Sequence, residues 1–469
     1  MPRIFKTGIL NVMFSLAQNY LTRGFWGDEA WTSLISQLPY VQMLKTTAAD
    51  FHPPGYYTMI ELWYKFFPTT EVSTRIVSII FYFLTLFMVY KLASYVRGHT
   101  FGLLSAIAVA VNPIFFTYAF EARNYTMFAF ASVGSIYFLI KFSTSSNIKY
   151  GVLFILFSTL GIYTHYYMFF TLGAQGLFIL LFDRKVLLKM FGVYAVVGIL
   201  YLPWIPFLVG QLKSVGGDYW IGGIDQRTHY EAVLRILSGE HENAFRFWLF
   251  GLSILLIVIG LLQHTRHKSF EKPPLRPFNF AQGFEGRAYI LIWFWAVVPF
   301  VLATLPGLSV AGFKFPFRSI FFWRYLIPAS VPFAMMIVHA SQKLVQPLKT
   351  LILITVITLS LAIDYLTFVR YPYGFKQVYE QKILPQSASG DKIVTVLPSF
   401  AEVLYYRNRF GLDNELIVLS EGLVQFSGKS LLDAYVENGV VTIDDNPTGK
   451  YFELRPGPTI AKVKSKSEK

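Results

Sequence analysis

Residues 25–36 read FWGDEAWTSLIS, and residues 50–57 read DFHPPGYY. Asp28 and Glu29 are adjacent acids between two tryptophans, and Asp50 and His52 follow just before a double proline. Asp28, Glu29, Asp50 and His52 together suit a hard or borderline divalent ion, Mg, Mn or Zn, or a site that handles phosphate. The two prolines stiffen the chain and bias Phe51 and His52 toward extended or turn geometry. Further along come Arg75 in STRIVS, Glu121, Arg123 and Tyr125 in FEARNY, His165 and Tyr166 in THYYMFF, and Arg324 in FWRYLIP.

Each of these has a bland explanation when taken alone. Asp28 fits the N-cap of a helix, with Glu29 favoured in the first turn by the helix dipole. Asp50 and His52 fit a loop breaker. Arg75 and Arg324 fit snorkelling cations, Glu121 and Arg123 an interfacial ion pair, and His165 and Tyr166 an aromatic belt. Taken together they point elsewhere, because all fall at one predicted membrane face on different helices. That is a polar site with cations able to hold a lipid phosphate.

The elements that must position them are mostly apolar. The chain has 469 residues, 54% hydrophobic, 18% aromatic and 14% charged, where a soluble domain carries about a quarter charged residues. Continuous apolar blocks predict helical spans at 75–96, 101–119, 125–141, 151–166, 168–183, 187–209, 245–262, 288–305, 321–339 and 349–369, and a weak one at 4–20. That makes about eleven transmembrane helices. The net charge of +14 lies in short loops between spans, so it reads as a topology signal and not as a nucleic-acid surface. Loops holding Lys91 and Arg97, Lys141 and Lys149, Arg184 to Lys189, Arg266 to Arg287, and Lys343 and Lys349 are basic, which predicts that they face the cytoplasm. Residues 21–74, 210–244 and the tail after 370 then face outward. No cysteine is present, which excludes disulfides, thiolate metal sites and a cysteine nucleophile. The N-terminus lacks a signal-peptide cleavage pattern, and neither an internal repeat nor a P-loop is visible.

Residues 21–74 are more than a linker. Trp31, Leu34, Ile35, Leu38 and Val41 fall on one helical face, and Tyr56, Tyr57, Met59, Ile60, Trp63 and Phe67 on another. Both predict interfacial helices that hold the acids at the membrane surface. In the tail, DKIVTVLP and NELIVLS read as strands, and SFAEVLYYRNRFG as a helix capped by Ser399 and stopped at Gly411. This predicts a small extracytoplasmic α/β domain over 370–469, ending its order near Arg455 before a disordered basic end, KVKSKSEK. Residues 1–369 are expected to form the transmembrane domain that holds the site.

In order, the motifs WGDEAW, HPPGYY, EVSTRIVS, NPIFFTYAFEARNY, THYYMFF and RYLIP resemble the GT-C membrane glycosyltransferases, in particular bacterial and archaeal relatives of protein O-mannosyltransferases and lipid A aminoarabinose transferases. The resemblance is carried by residues 24–170. It implies inverting transfer of one sugar, with mannose as a candidate, from a polyprenyl phosphate to a protein, glycan or lipid acceptor on the outer face. It implies Asp28 as the catalytic base with Glu29 beside it, and His52, Arg75, Arg123 and Arg324 as donor-phosphate ligands. Asp50, Glu121, Tyr125, His165 and Tyr166 are further site candidates. Asp28, Glu29, Asp50 and His52 are the residues that would hold a divalent metal. His52 stands where aminoarabinose transferases carry a lysine, so it sits closer to the mannosyltransferase pattern. The alternatives are an oligosaccharide transferase using a lipid diphosphate, and a transporter or lipid flippase. Transporters favour internal repeats and mid-membrane charges, and a purely structural membrane protein leaves the paired acids unexplained.

Overall fold

The computed structural model describes residues 18–464 apart from 146, 218–220, 226, 269–279, 308, 311–312, 315–318, 422 and 424–427. The expected span at 4–20 therefore lies almost wholly outside the described residues. The chain divides into two compact units. One comprises Met1–Val77, Phe120–Arg123 and Phe368–Lys469, and the other Ser78–Ala119 and Asn124–Thr367. Residues 21–74 thus cluster with the C-terminal tail, whereas the sequence reading grouped them with the membrane helices.

In the first unit, residues 21–74 form three short helices, Gly27–Ile35, Tyr40–Ala48 and Gly55–Tyr64. The apolar face expected to run unbroken through Val41 is interrupted before Pro39, whose ring disfavours helical geometry at Leu38. Trp31, Leu34, Ile35 and Leu38 are buried as expected, but Val41 is exposed. Asp28 is not the N-cap. The helix starts at Gly27 behind Trp26, which offers no side-chain cap, and Asp28 and Glu29 both lie in the first turn.

The tail forms a five-stranded sheet. Its strands are β1 (Lys392–Thr395), β2 (Leu416–Val418), β3 (Val441–Ile443), β4 (Tyr451–Arg455) and β5 (Thr459–Lys464), in spatial order β3-β2-β1-β4-β5. All neighbours are parallel except the antiparallel β4–β5 pair. Helices Leu397–Arg409 and Lys429–Glu437 make crossovers between parallel strands, as parallel pairing requires. Two expectations change. The first helix begins at Leu397, with Pro398 in its first turn and Ser399 inside it, because proline is tolerated where no N–H bond is needed. Order also continues past Arg455, since Lys462–Lys464 lie in β5.

The second unit is helical. Among the described residues, five helices are long and apolar enough to cross a membrane: Glu71–Arg97, Tyr125–Ser145, Arg184–Ser214, Glu285–Thr304 and Leu348–Phe368. The expected span at 101–119 is a broken pair, His99–Ala110 and Pro113–Ala119, bent by 66°. Pro113 excludes helical geometry at Asn112, and the Asn112 Oδ1 accepts the Phe115 N–H at 3.1 Å, starting a new helix. The expected span at 321–339 opens as tight turns over Trp323–Ala329 that contain Pro328, and becomes regular only over Ser330–Gln342. Ile148–Thr164, Met168–Phe182 and Arg246–Leu262 are shorter apolar helices. At 1.5 Å per residue the first two fall below the roughly 30 Å apolar thickness of a bilayer, whereas the third continues as helix to Lys268.

Small residues let these helices approach closely. A Cβ on Gly134 would sit 1.9 Å from the Phe157 ring, and one on Gly161 would sit 2.6 Å from Met168. Buried polar groups pair across helices, with Gln175 Nε2 donating to Ser135 Oγ at 2.8 Å and Trp295 Nε1 to Ser132 Oγ at 2.9 Å. Leu188, Phe191, Ile199, Leu351 and Ile354 stand exposed, as side chains facing lipid do. This is a multi-pass membrane protein.

Candidate active site

Glu29 is the centre of the first unit and is completely buried. Its Oε1 accepts from Arg75 Nε at 2.8 Å and from the Ala122 N–H at 2.8 Å. Its Oε2 accepts from Arg75 Nη2 at 2.7 Å and Arg23 Nη2 at 3.3 Å. Arg23 also bonds Glu121 Oε1 at 2.8 Å. Glu121 further accepts from the Tyr20 hydroxyl and Trp26 Nε1, each at 2.7 Å. Two carboxylates and two guanidiniums thus form a charge-balanced cluster with most lone pairs and protons used, which is the condition for burying ions. Burial alone would push the Glu29 carboxyl up, but Arg23 and Arg75 hold it below its ordinary value.

These contacts correct two expectations. Arg75 has no exposed side chain. Its Nη1 also bonds the carbonyls of Leu21 at 2.6 Å and Arg23 at 2.7 Å, and its Nη2 that of Gly24 at 3.1 Å. It has no N–H left to offer a donor phosphate. Glu29 has no lone pair positioned for a metal or a reacting proton. Both tie residues 21–29 together.

Asp28 differs from its neighbour. The helix turns Glu29 into the cluster and leaves the Asp28 side chain 45% exposed. Its Oδ2 lies 3.6 Å from Arg123 Nη2. Arg123 Nη1 bonds the Asp28 carbonyl and the Thr32 Oγ1, each at 3.2 Å. The expected Glu121–Arg123 ion pair therefore gives way to two separate roles. Glu121 closes the buried cluster, and Arg123 reaches the helix that carries Asp28. Asp28 is an accessible carboxylate, held beside a nearly buried cation on a rigid support.

Asp50 and His52 are given to each other, with Nδ1 to Oδ2 at 3.2 Å. Among the described residues no group of three or more His, Asp or Glu side chains is arranged to hold a metal ion. The four residues Asp28, Glu29, Asp50 and His52 do not form one metal-ligand set, because Glu29 is sequestered by its arginines.

Tyr125, His165, Tyr166 and Arg324 belong to the second unit. The buried His165 ring stacks on Phe128, with centroids 4.9 Å apart, and meets Tyr125 at 6.2 Å and Tyr325 at 4.9 Å. Its Nδ1 accepts the Tyr167 N–H at 3.1 Å, which leaves Nε2 to carry the proton of the neutral ring. Tyr166 is apart from that nest. Its hydroxyl donates to Gln211 Oε1 and accepts from Trp204 Nε1. Arg324 lies over Trp323 at 5.3 Å, and Arg235 meets the same ring at 4.9 Å.

Sequence reasoning missed Arg23 and Glu402. Arg23 stands five residues before Asp28 in LTRGFWGDE, and a cation that close to an acid pair was the available signal. Glu402 had none. Its helix, Leu397–Arg409, packs on Gly27–Ile35, and a Cβ built on Gly27 would lie 3.6 Å from Glu402 Oε1.

Residues 51–209 match the family model described as dolichyl-phosphate-mannose-protein mannosyltransferase. That stretch contains His52, Arg75, Arg123, His165 and Tyr166, and it begins after Asp28. Among solved structures, the chain is similar to ArnT from Cupriavidus metallidurans in the apo state, with 12% identity, TM-score 0.60, and coverage of 97% of this chain and 93% of that one. It is similar to the same protein bound to undecaprenyl phosphate, with 11% identity, TM-score 0.54, and coverage of 96% and 93%. The Archaeoglobus fulgidus oligosaccharyltransferase in complex with Zn and sulfate matches at 13% identity and TM-score 0.50, over 85% of this chain and 61% of that one. No curated protein sequence matches.

Proposed function

We propose that this chain, a GT-C glycosyltransferase of the PMT/ArnT-like superfamily by its fold and by the family match over residues 51–209, moves a single sugar from a polyprenyl phosphate to an acceptor hydroxyl. The observation that carries this reading is Asp28, an exposed carboxylate 3.6 Å from Arg123 on a helix anchored by a buried ion cluster. Asp28 removes the proton of the acceptor hydroxyl as its oxygen attacks the anomeric carbon. The bond between that carbon and the phosphate oxygen breaks, and its electron pair leaves with the lipid phosphate. Attack from the side opposite the leaving group inverts the anomeric configuration. A preorganised cation stabilises the charge that builds on the phosphate, and Arg123 supplies it on the side of Asp28. His52, its ring held by Asp50, is a further proposed donor-phosphate ligand of the first unit, and Arg324 is retained as a phosphate-ligand candidate of the second. Tyr125, His165 and Tyr166, in the second unit, are proposed as further site residues. Glu29, Arg75 and Glu121 are positioning residues.

No step runs through a metal, because Glu29, one of the four residues that would hold it, is taken up by Arg23 and Arg75. The donor class follows the undecaprenyl phosphate bound by the ArnT relative, and mannose follows the description of the matching family. The basic loops support an extracytoplasmic side for residues 21–74 and the C-terminal domain.

The test uses purified protein in lipid nanodiscs with polyprenyl-phosphate mannose and envelope acceptors. The product anomer is read by NMR, and inversion is the expected result; retention would contradict single displacement. Arg123→Ala is expected to raise the donor KM about tenfold or more, as loss of a charge-assisted contact does. Unchanged donor KM and kcat would remove Arg123 from the phosphate site.

A further inference from the structure

The face of Leu397–Arg409 that meets the first unit's short helices carries Glu402, Tyr405 and Tyr406, spaced i, i+3 and i+4. All three grip the segment around Asp28. The Tyr406 hydroxyl accepts the Phe25 N–H at 2.6 Å and donates to Glu71 Oε1 at 3.2 Å. The Tyr405 hydroxyl donates to the Thr69 carbonyl at 3.0 Å, and its ring meets Phe25 with centroids 4.7 Å apart. Glu402 lies over Gly27, where a built Cβ would stand 3.6 Å from its Oε1. The other carboxyl oxygen, Oε2, is shut off from water and has no hydrogen-bond partner among the described residues.

We propose that Glu402 is a positioning residue that the C-terminal domain supplies to the Asp28 helix, making the two carboxyls a working pair. Gly27 is the first residue of that helix and its N–H has no partner within it. Trp26 gives no side-chain cap, and Glu402 packs against this first turn from another part of the chain, which fixes where Asp28 points. Two neighbouring carboxyls do not both ionise cheaply. Asp28 is nearly half exposed and keeps its hydration, whereas Glu402 is largely enclosed. Burial first, and then the charge of Asp28, push the Glu402 carboxyl up to about 8. Glu402 thus holds its proton at neutral pH. The elements packed against its helix also carry Glu29, Lys376, Lys392, Lys429, Asp433, Tyr435, Glu437, Tyr451, Glu453 and Arg455, and its own helix carries Tyr405, Tyr406, Arg407 and Arg409. Among the described residues, Asp28 is the charged side chain that acts on Glu402.

A protonated carboxyl of this kind leaves two signatures. A carboxyl raised above its ordinary 4.5 in the folded state gives stability that is complete below about 4.5 and lost as pH rises through about 8. Charging Glu402 also disturbs the contact that aims Asp28, so transfer declines above that pH.

The inference rests on Asp28 being the base. The experiment uses full-length protein in nanodiscs, with Glu402→Gln and Glu402→Ala beside wild type. Thermal unfolding is followed from pH 5 to 9, and transfer from polyprenyl-phosphate mannose over the same range. The wild type should lose on the order of 5 °C relative to Glu402→Gln across that range. Glu402→Gln, an uncharged isostere, should keep transfer within about threefold at pH 7 and lack the alkaline decline. Glu402→Ala should lose at least about tenfold in kcat with donor KM unchanged, the size expected when a reacting group is misplaced. A Tm difference that does not change with pH overturns the protonated pair. Wild-type transfer by Glu402→Ala overturns the positioning role. Absence of transfer in the wild type contradicts the proposed function instead, and the thermal measurement still decides whether Glu402 carries a proton there.

Discussion

Asp28→Asn is expected to lower transfer by about a thousandfold or more and to leave the melting temperature within about 2 °C of wild type. Removing a general base costs two to four orders of magnitude. The substitution is isosteric, the side chain is 45% exposed, and its ion pair with Arg123 is long at 3.6 Å, so little folding energy depends on the charge. The amide oxygen still accepts a hydrogen bond, but it takes no proton from a hydroxyl. Initial rates and a thermal melt on the same preparation check both halves. Full activity in the variant removes Asp28 as the base.

The adjacent acid should behave in the opposite way. Glu29→Gln is expected to destabilise the fold by about 3–5 kcal/mol, because it leaves Arg23 and Arg75 buried beside an uncharged partner. Both guanidiniums are enclosed and share the Glu29 carboxylate. In a protein of this size that is a fall on the order of 10 °C in melting temperature, with poor recovery from the membrane. The pH dependence has a definite sign. A carboxyl held below its ordinary value gives stability that is present above about 4.5 and lost as pH falls through its folded value. Wild type should therefore lose stability on acidification, and Glu29→Gln should lack that loss. A variant as stable as wild type but inactive would return Glu29 to the chemistry.

The paired melts separate two neighbours that composition alone treats alike. The helical spans were legible because length and continuous apolarity suffice in lipid, and the two strands around DKIV and ELIV were legible from their short apolar runs. Where spans broke, proline was the reason, at Pro113 and Pro328, each inside an otherwise apolar block. The motif FWGDEAW signalled that something polar mattered near residue 28. It could not say which acid turned inward, because that depends on Arg75 and Arg23 arriving from two sides. Arg75 read as a phosphate ligand for the same reason: a lone arginine at a span's outer end looks the same whether it snorkels, binds an anion or neutralises a buried acid. Glu402 lay beyond reach. Its significance comes from a helix packing across nearly the whole length of the chain onto Gly27, and nothing local in SFAEVLYY marks a carboxyl as enclosed.

The central claim is single-sugar transfer from a lipid monophosphate with Asp28 as base. The most direct measurement supplies wild type and Asp28→Asn in nanodiscs with radiolabelled polyprenyl-phosphate sugars, a lipid-diphosphate oligosaccharide and host envelope acceptors. The account predicts label on the acceptor and free polyprenyl phosphate from one monophosphate donor, in wild type only. Label from the diphosphate donor alone, or equal transfer by Asp28→Asn, would contradict it.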